Sequence, residues 1–345
     1  ESITDGDYNT AIGQAAAQNL TTGNQNVFIG NSAGNSSVSS LYNTMIGVSA
    51  GVGATDVDST VLIGWNAGRG VLTSAADGTI AIGYEAGKAV TSGIGNNLIG
   101  YYAGRYLSTN GYNTMFGTET GAHMNGSSNT FIGYYAGRGS SQSAPYGNGG
   151  NNVAIGREAL MAISSGSINI AIGRDALKAT TDGDYNIALG YQAGVAINTG
   201  HENILLGRLV ATAMTDGGEN IVIGKSAGSN LTSADNIIAI GEDALDLENT
   251  GTHAIAIGYR AGYKNRISDV NYNTFMGYNA GREVTTGNHN TFLGNHAGYG
   301  VDGSDADNNV AIGSYSLVNI VGNNNVSIGY EAGRHASGSS NTFVG

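Results

Sequence analysis

Cysteine is absent from the chain, so neither disulfides nor thiolate-bound metals can hold it together. Proline occurs once, at Pro145, and no apolar run approaches the ~20 residues that cross a bilayer as a helix. Glycine is plentiful at 57 residues, but it follows no Gly-X-Y period, which excludes collagen. Positive charge is scarce. Lys and Arg number 14 against 26 Asp and Glu, for a formal net charge of −12. Nucleic acid is therefore disfavoured as a partner, since phosphate binding needs concentrated cationic side chains. An initiator Met and a signal peptide are also missing. Both ends fall inside the repeat described below, at Ile3-Thr4-Asp5-Gly6 and at Gly345, so the pattern is expected to belong to a longer protein.

What the chain has is a period. An apolar-glycine step recurs 20 times, at Gly13, Gly30, Gly47, Gly64, Gly83, Gly100, Gly117, Gly133, Gly156, Gly173, Gly190, Gly207, Gly224, Gly241, Gly258, Gly277, Gly294, Gly313, Gly329 and Gly345, and 12 of the 19 intervals are 17 residues. The fullest form is Asn43-Thr44-Met45-Ile46-Gly47-Val48-Ser49-Ala50-Gly51. A fixed period this short means stacked coils around a continuous core. With 40% apolar residues and this regularity, disorder is excluded despite the Gly, Ser and Asn content. Residues 1–345 read as one continuous all-β array, a parallel β-solenoid of about 20 coils with ~17 residues per coil. At ~4.8 Å per strand the array is expected to be a rod roughly 90 Å long.

The residue before each step glycine is apolar throughout, and the residue three before is β-branched in every copy except at Asn97. Alternating positions of this kind predict a strand with one buried face. The position between them is also mostly apolar, for example Phe28, Met45, Leu62 and Phe131, with Ala in most other copies. A strand apolar on both faces is expected to be covered on both. Because the pattern offers only small residues to fill a wide interior elsewhere in the repeat, neighbouring chains are the favoured cover.

Size compensation points to one specific contact. Four residues after the step glycine the chain usually has Gly, but Leu at Leu160, Leu177, Leu245 and Leu317, and each of those copies has Ala at the middle strand position. Eight of the ten copies with Phe, Met or Leu in mid-strand have Gly there instead. Constant packing volume per layer predicts that these two positions touch. Asn opens the strand in 16 copies, including Asn43, Asn113, Asn186 and Asn290, and stacked amides predict an Asn ladder. The invariant step glycine, as at Ile46-Gly47, Gly117, Gly190 and Gly294, predicts positive φ or close backbone approach.

At Asn152-Val153-Ala154-Ile155-Gly156, with Ala159 further on, the repeat resembles the head repeats of Yersinia-type trimeric autotransporter adhesins. The longer unit Thr22-Gly23-Asn24-Gln25-Asn26-Val27-Phe28-Ile29-Gly30-Asn31-Ser32-Ala33-Gly34 is similar to repeats of bacteriophage tail-fibre proteins. The resemblance implies a left-handed β-roll in which three chains share an axis, an elongated homotrimer. It differs from the adhesin heads in its longer spacing.

Outside the core pattern, an aromatic follows the step glycine at Trp65, Tyr84, Tyr101, Tyr134, Tyr191, Tyr259, Tyr278 and Tyr330. These suit either a surface-binding track for glycans or amphipathic cover at a coil corner. Glu85 with Lys88 and Glu331 with Arg334 are spaced to pair, and Arg69, Arg105, Arg138 and Arg282 recur at the cationic position. That row is expected to keep fibres from pairing laterally. Asp302, Asp305 and Asp307 lack the ligand spacing of a calcium hand, so a solvated turn is expected. The six His (His123, His201, His253, His289, His296 and His335) fall at several different repeat positions and nothing selects one of them, so no metal is expected. The longest interval, Gly133 to Gly156, carries an insertion loop at 139–151, to be read as either a binding loop or a tolerated bulge.

Together these readings predict a structural fibre shaft without catalytic activity or cofactor. By resemblance it is a phage tail fibre presenting a host-attachment tip, with a virion location and fibre or virion proteins at both ends. Its partners would be two further copies of itself and cell-surface glycan, with no membrane insertion. The alternative is a bacterial trimeric surface adhesin or extracellular filament. A polysaccharide-cleaving tailspike is less favoured, because glycosidases need two carboxyls set across a cleft. An ice-binding solenoid is disfavoured because Thr10, Thr44, Thr114, Thr130, Thr274, Thr291 and Thr342 share their position with Val and Ile, which suggests burial.

Overall fold

The computed structural model describes residues 5–140, 146–247, 250–266, 272–301 and 303–345. Among them are twenty three-residue strands, from β1 (Thr10–Ile12) to β20 (Thr342–Val344), each followed at once by a step glycine. The chain forms two compact units, Glu1–Asp175 with Ala179–Asp182, and Ala176–Lys178 with Gly183–Gly345. The first holds β1 to β10 (Ile170–Ile172) and the second β11 (Ile187–Leu189) to β20. Within each unit every strand pairs in parallel with the next, position on position: Val27 with Thr44, Phe28 with Met45, Ile29 with Ile46. One strand per coil, stacked in this way, is a parallel β-solenoid. No helix of the described residues is long and apolar enough to cross a membrane.

The strands are short because the residues around them force the chain to bend. The residue before the opening Asn has left-handed backbone geometry, as at Gln25 (φ 58°) and Tyr42 (φ 60°). At the other end the step glycine has φ between 124° and 144° in all 20 copies, a region closed to residues with a Cβ. Close approach adds a second constraint. A Cβ on Gly47 would lie 2.5 Å from the Gly64 carbonyl oxygen of the next coil, and one on Gly156 2.7 Å from that of Gly173. The same glycines carry the ladder: Gly30 N–H donates to Ile12 O, and Val27 N–H to Asn43 O, both at 2.8 Å.

The orientation of the strands reverses the expectation from alternation. From β2 (Val27–Ile29) to β19 (Val326–Ile328) the middle residue is the buried one, and its two neighbours, β-branched or apolar except at Asn97, face outward, half-exposed or exposed. The Thr residues of the shared row are therefore outward as well, contrary to the burial inferred from their replacement by Val and Ile. Periodicity could not tell the faces apart, because both are apolar. A second core row decides the matter. Seven residues after the step glycine lie the fully buried Leu20, Val90, Leu107, Met124, Ile163, Ile197, Met214 and Leu231, which fill the interior opposite the strand. Large residues are thus available inside the coil, and a single chain covers its own core.

The size compensation is a direct contact. A Cβ on Gly34 or Gly137 would collide with the ring of Phe28 or Phe131, and one on Gly68 would lie 2.8 Å from Leu62 Cδ2. In four of the eight coils where mid-strand is Ala, Leu160, Leu177, Leu245 and Leu317 fill the space, fully buried, even though each has φ near 50°. For Leu, that geometry costs roughly 1 kcal/mol. The burial of an isobutyl group, worth ~1.5–3 kcal/mol, outweighs it.

The longer intervals leave the register intact. Across the 23 residues from Gly133 to Gly156, Thr130 still pairs with Val153 and Ile132 with Ile155. Residues 141–145 of the 139–151 insertion, Pro145 among them, lie outside the described residues. On either side of them the chain follows the coil: Gly139 N–H donates to Met161 O, and Gly147 forms a bridge with Met124.

Two substitutions test this account. Gly47→Ala should destabilise the fold by at least ~1–3 kcal/mol through backbone strain alone, read as a lower thermal midpoint. Phe28→Ala should cost ~3–5 kcal/mol, and adding Gly34→Leu should recover a large part of it. A double mutant no more stable than Phe28→Ala would disprove the compensation.

Candidate functional site

The opening Asn side chains lie inside the coil, stacked one above another. Asn43 is buried; its N–H donates to Asn26 Oδ1 at 2.9 Å and its amide Nδ2 to Val57 O at 2.7 Å. Asn113 gives both its N–H and its Nδ2 to Asn96 Oδ1 at 3.1 Å. Asn186 Nδ2 reaches Gly200 O at 2.7 Å, and Asn290 bonds Asn273 Oδ1 at 2.8 Å and Ala306 O at 2.8 Å. Each amide therefore satisfies backbone groups in its own coil and the next. The substitutes behave as their chemistry allows. Thr60 donates its hydroxyl to Asn43 Oδ1 at 2.7 Å, whereas Ile237 uses only its backbone N–H, to Asn220 Oδ1 at 2.9 Å. Ile46 is half-exposed on the outward strand face, and Gly47, Gly117, Gly190 and Gly294 all have the step geometry.

The aromatic row lies at the corner after the strand. Trp65, Tyr84, Tyr101, Tyr134, Tyr191, Tyr278 and Tyr330 are exposed and Tyr259 is half-buried. Several of the rings stack on each other: Trp65 on Tyr84 at 4.7 Å, Tyr84 on Tyr101 at 5.3 Å, and Tyr259 on Tyr278 at 5.1 Å between centroids. A sugar stacks on a ring face, and these faces are turned toward one another at the strand spacing. The arrangement favours corner cover over a glycan track. The hydrogen bond with Tyr102 pushes the Tyr101 phenol up to about 12, with burial adding to it. A second aromatic row, absent from the sequence reading, lies just before the opening Asn: Tyr8, Tyr42, Tyr112, Tyr185 and Tyr272 are exposed there, the first four with positive φ. Its signal was a Tyr or His recurring at one repeat position.

The charged row pairs as its spacing suggests. Lys88 Nζ lies 2.8 Å from Glu85 and Arg334 2.6 Å from Glu331. Pairs between coils join them, Arg105 with Glu85 at 2.6 Å and Arg138 with Glu119 at 2.8 Å. Asp302 lies outside the described residues, and Asp307 accepts the N–H of Asn288 at 2.7 Å. His123 is the His in the most crowded surroundings, stacked on Tyr106 at 5.2 Å. Burial holds its imidazole below the usual pKa, with Arg138 and Arg105 acting in the same direction and Glu119 opposing.

Two outcomes follow. Asn203 bonds Asn186, Gly217 and Asn220, so Asn203→Ala should strand buried polar groups and cost about 2–4 kcal/mol in denaturant melts. His123 binds its proton more weakly folded than unfolded, so stability should fall as pH drops below 6.5 toward its depressed pKa. Melting curves between pH 7 and 5 should show a shallower loss in His123→Gln. No family model matches the chain, and no curated protein matches it.

Proposed function

We propose that this chain is a structural fibre shaft in which three copies pack along a common axis, without catalytic activity of its own. The observation that carries the reading is the outward strand face. In β11 to β15 (Ile255–Ile257) its first position is Ile187, Ile204, Ile221, Ile238 and Ile255, and its third is Leu189, Leu206, Ile223, Ile240 and Ile257. A long, regular, apolar sheet face that the chain does not cover itself suits burial against further copies. Parallel stacking supplies length, and the ion-paired corners supply a surface that resists lateral pairing. The repeat's similarity to tail-fibre proteins makes a phage tail fibre the first reading, extracellular and carried on the virion. A bacterial surface adhesin is the alternative on the same grounds. The mixed Thr, Val and Ile of the outward row suit protein contact better than ice, which calls for evenly spaced Thr ranks.

One chain has a mass of 35.0 kDa, so light scattering coupled to size exclusion should give 3 × 35.0 = 105 kDa. Ile223→Glu with Ile240→Glu should return the mass to that of one chain while the β-sheet circular dichroism persists. A wild-type mass of a single chain would reject the shared-axis fibre.

A further inference from the structure

The cationic row five residues after the step glycine has a gap. Arg69, Lys88, Arg105 and Arg138 occupy it in the coils of Gly64, Gly83, Gly100 and Gly133, but the Gly117 coil between the last two has Ala122. Omitting one long side chain leaves a cavity of ≈ 250 Å³, lined by Tyr102, Arg105, Tyr106, Glu119, His123 and Arg138 around Ala122. Its size is just below the ~300 Å³ at which drug-sized pockets begin, which suits a single sugar ring.

The lining is rich in donors. Each guanidinium has five N–H groups, and the carboxylates of Glu85 and Glu119 engage only part of the two sets. Arg105 Nε and His123 Nδ1 are buried without a hydrogen-bond partner, and His123 is only 8% exposed. A buried donor such as Arg105 Nε without an acceptor is costly, as is an unpartnered ring nitrogen of either tautomer, and an occupant that brings hydroxyl and carboxylate oxygens relieves both. Around the polar walls are aromatic rings: Tyr146 stacks on Tyr106 at 4.6 Å, and the Arg105 guanidinium lies over Tyr102 at 4.1 Å. Planar guanidinium forks match carboxylates, and the hydroxyls and edges of Tyr102 and Tyr106, whose rings already stack on Arg105, His123 and Tyr146, match the hydroxyls of a sugar.

We propose that this cavity binds one carboxylated monosaccharide unit, its carboxylate on Arg105 and Arg138 and its ring beside Tyr106. The site lies within one chain, so it stands or falls separately from the fibre reading.

The test is calorimetric titration of the full chain with D-glucuronate, D-glucose and acetate. Two variants accompany it, Ala122→Arg and Arg138→Gln. Arg already stands at this position in the coils on both sides, so Ala122→Arg fills the cavity with a side chain that the repeat tolerates. Glucuronate should bind saturably, with glucose and acetate at least about tenfold weaker. Ala122→Arg should abolish binding with the melting temperature unchanged, and Arg138→Gln should weaken it by about tenfold. If Arg138→Gln fails to fold, Ala122→Arg alone decides. The proposal is overturned by absence of saturable glucuronate binding, by acetate or glucose binding as tightly, or by binding that survives Ala122→Arg.

Discussion

The close approach of one step glycine to the next is the constraint on which the rest of the structure depends. At this point the backbones of successive coils meet with no room for a Cβ, and φ near 130° turns the chain out of its three-residue strand. Both conditions recur at each coil, so a repeat that relaxed either would break the parallel ladder on two sides. The Asn side chains do the complementary work at the strand's other end. Their amides occupy the interior where backbone groups would otherwise lack partners. Glycine sets the spacing and asparagine satisfies the bend.

Between those two points the core keeps constant volume with varied residues. In eight coils a Phe, Met or Leu in mid-strand stands over Gly, and in four an Ala stands over Leu, so each of those layers holds one large side chain at this contact. The second row, from Leu20 to Leu231, closes the opposite wall. A coil built this way is complete without a partner. Its outward strand face is left uncovered by the chain itself, and it is this face that the proposed fibre would use for assembly.

Irregular coils are where a regular array acquires individuality. The change from a long cationic side chain to Ala122 opens a cavity next to the longest interval of the chain, yet strand pairing continues across that interval in register. Variation at corner positions thus has little consequence for the ladder. Substitution there reshapes the corner surface while the glycine and asparagine positions remain unchanged.

The period, the solenoid, the Asn ladder, the glycine geometry and the Gly–Leu exchange were all legible in the sequence, because each is a one-dimensional regularity that stacking turns directly into a contact. The Glu85–Lys88 and Glu331–Arg334 pairs were legible for the same reason. Which strand face points inward was not, since Phe28 and its neighbours Val27 and Ile29 are all apolar and period two alone is symmetric between faces. Only the closed coil decided it, by bringing residues such as Leu107 and Met124 across from the strand. The mutual stacking of Trp65, Tyr84 and Tyr101, and the cavity over Ala122, also required three dimensions. Both arise between coils, from what neighbouring layers place beside a residue, and a repeat read one copy at a time does not contain that information.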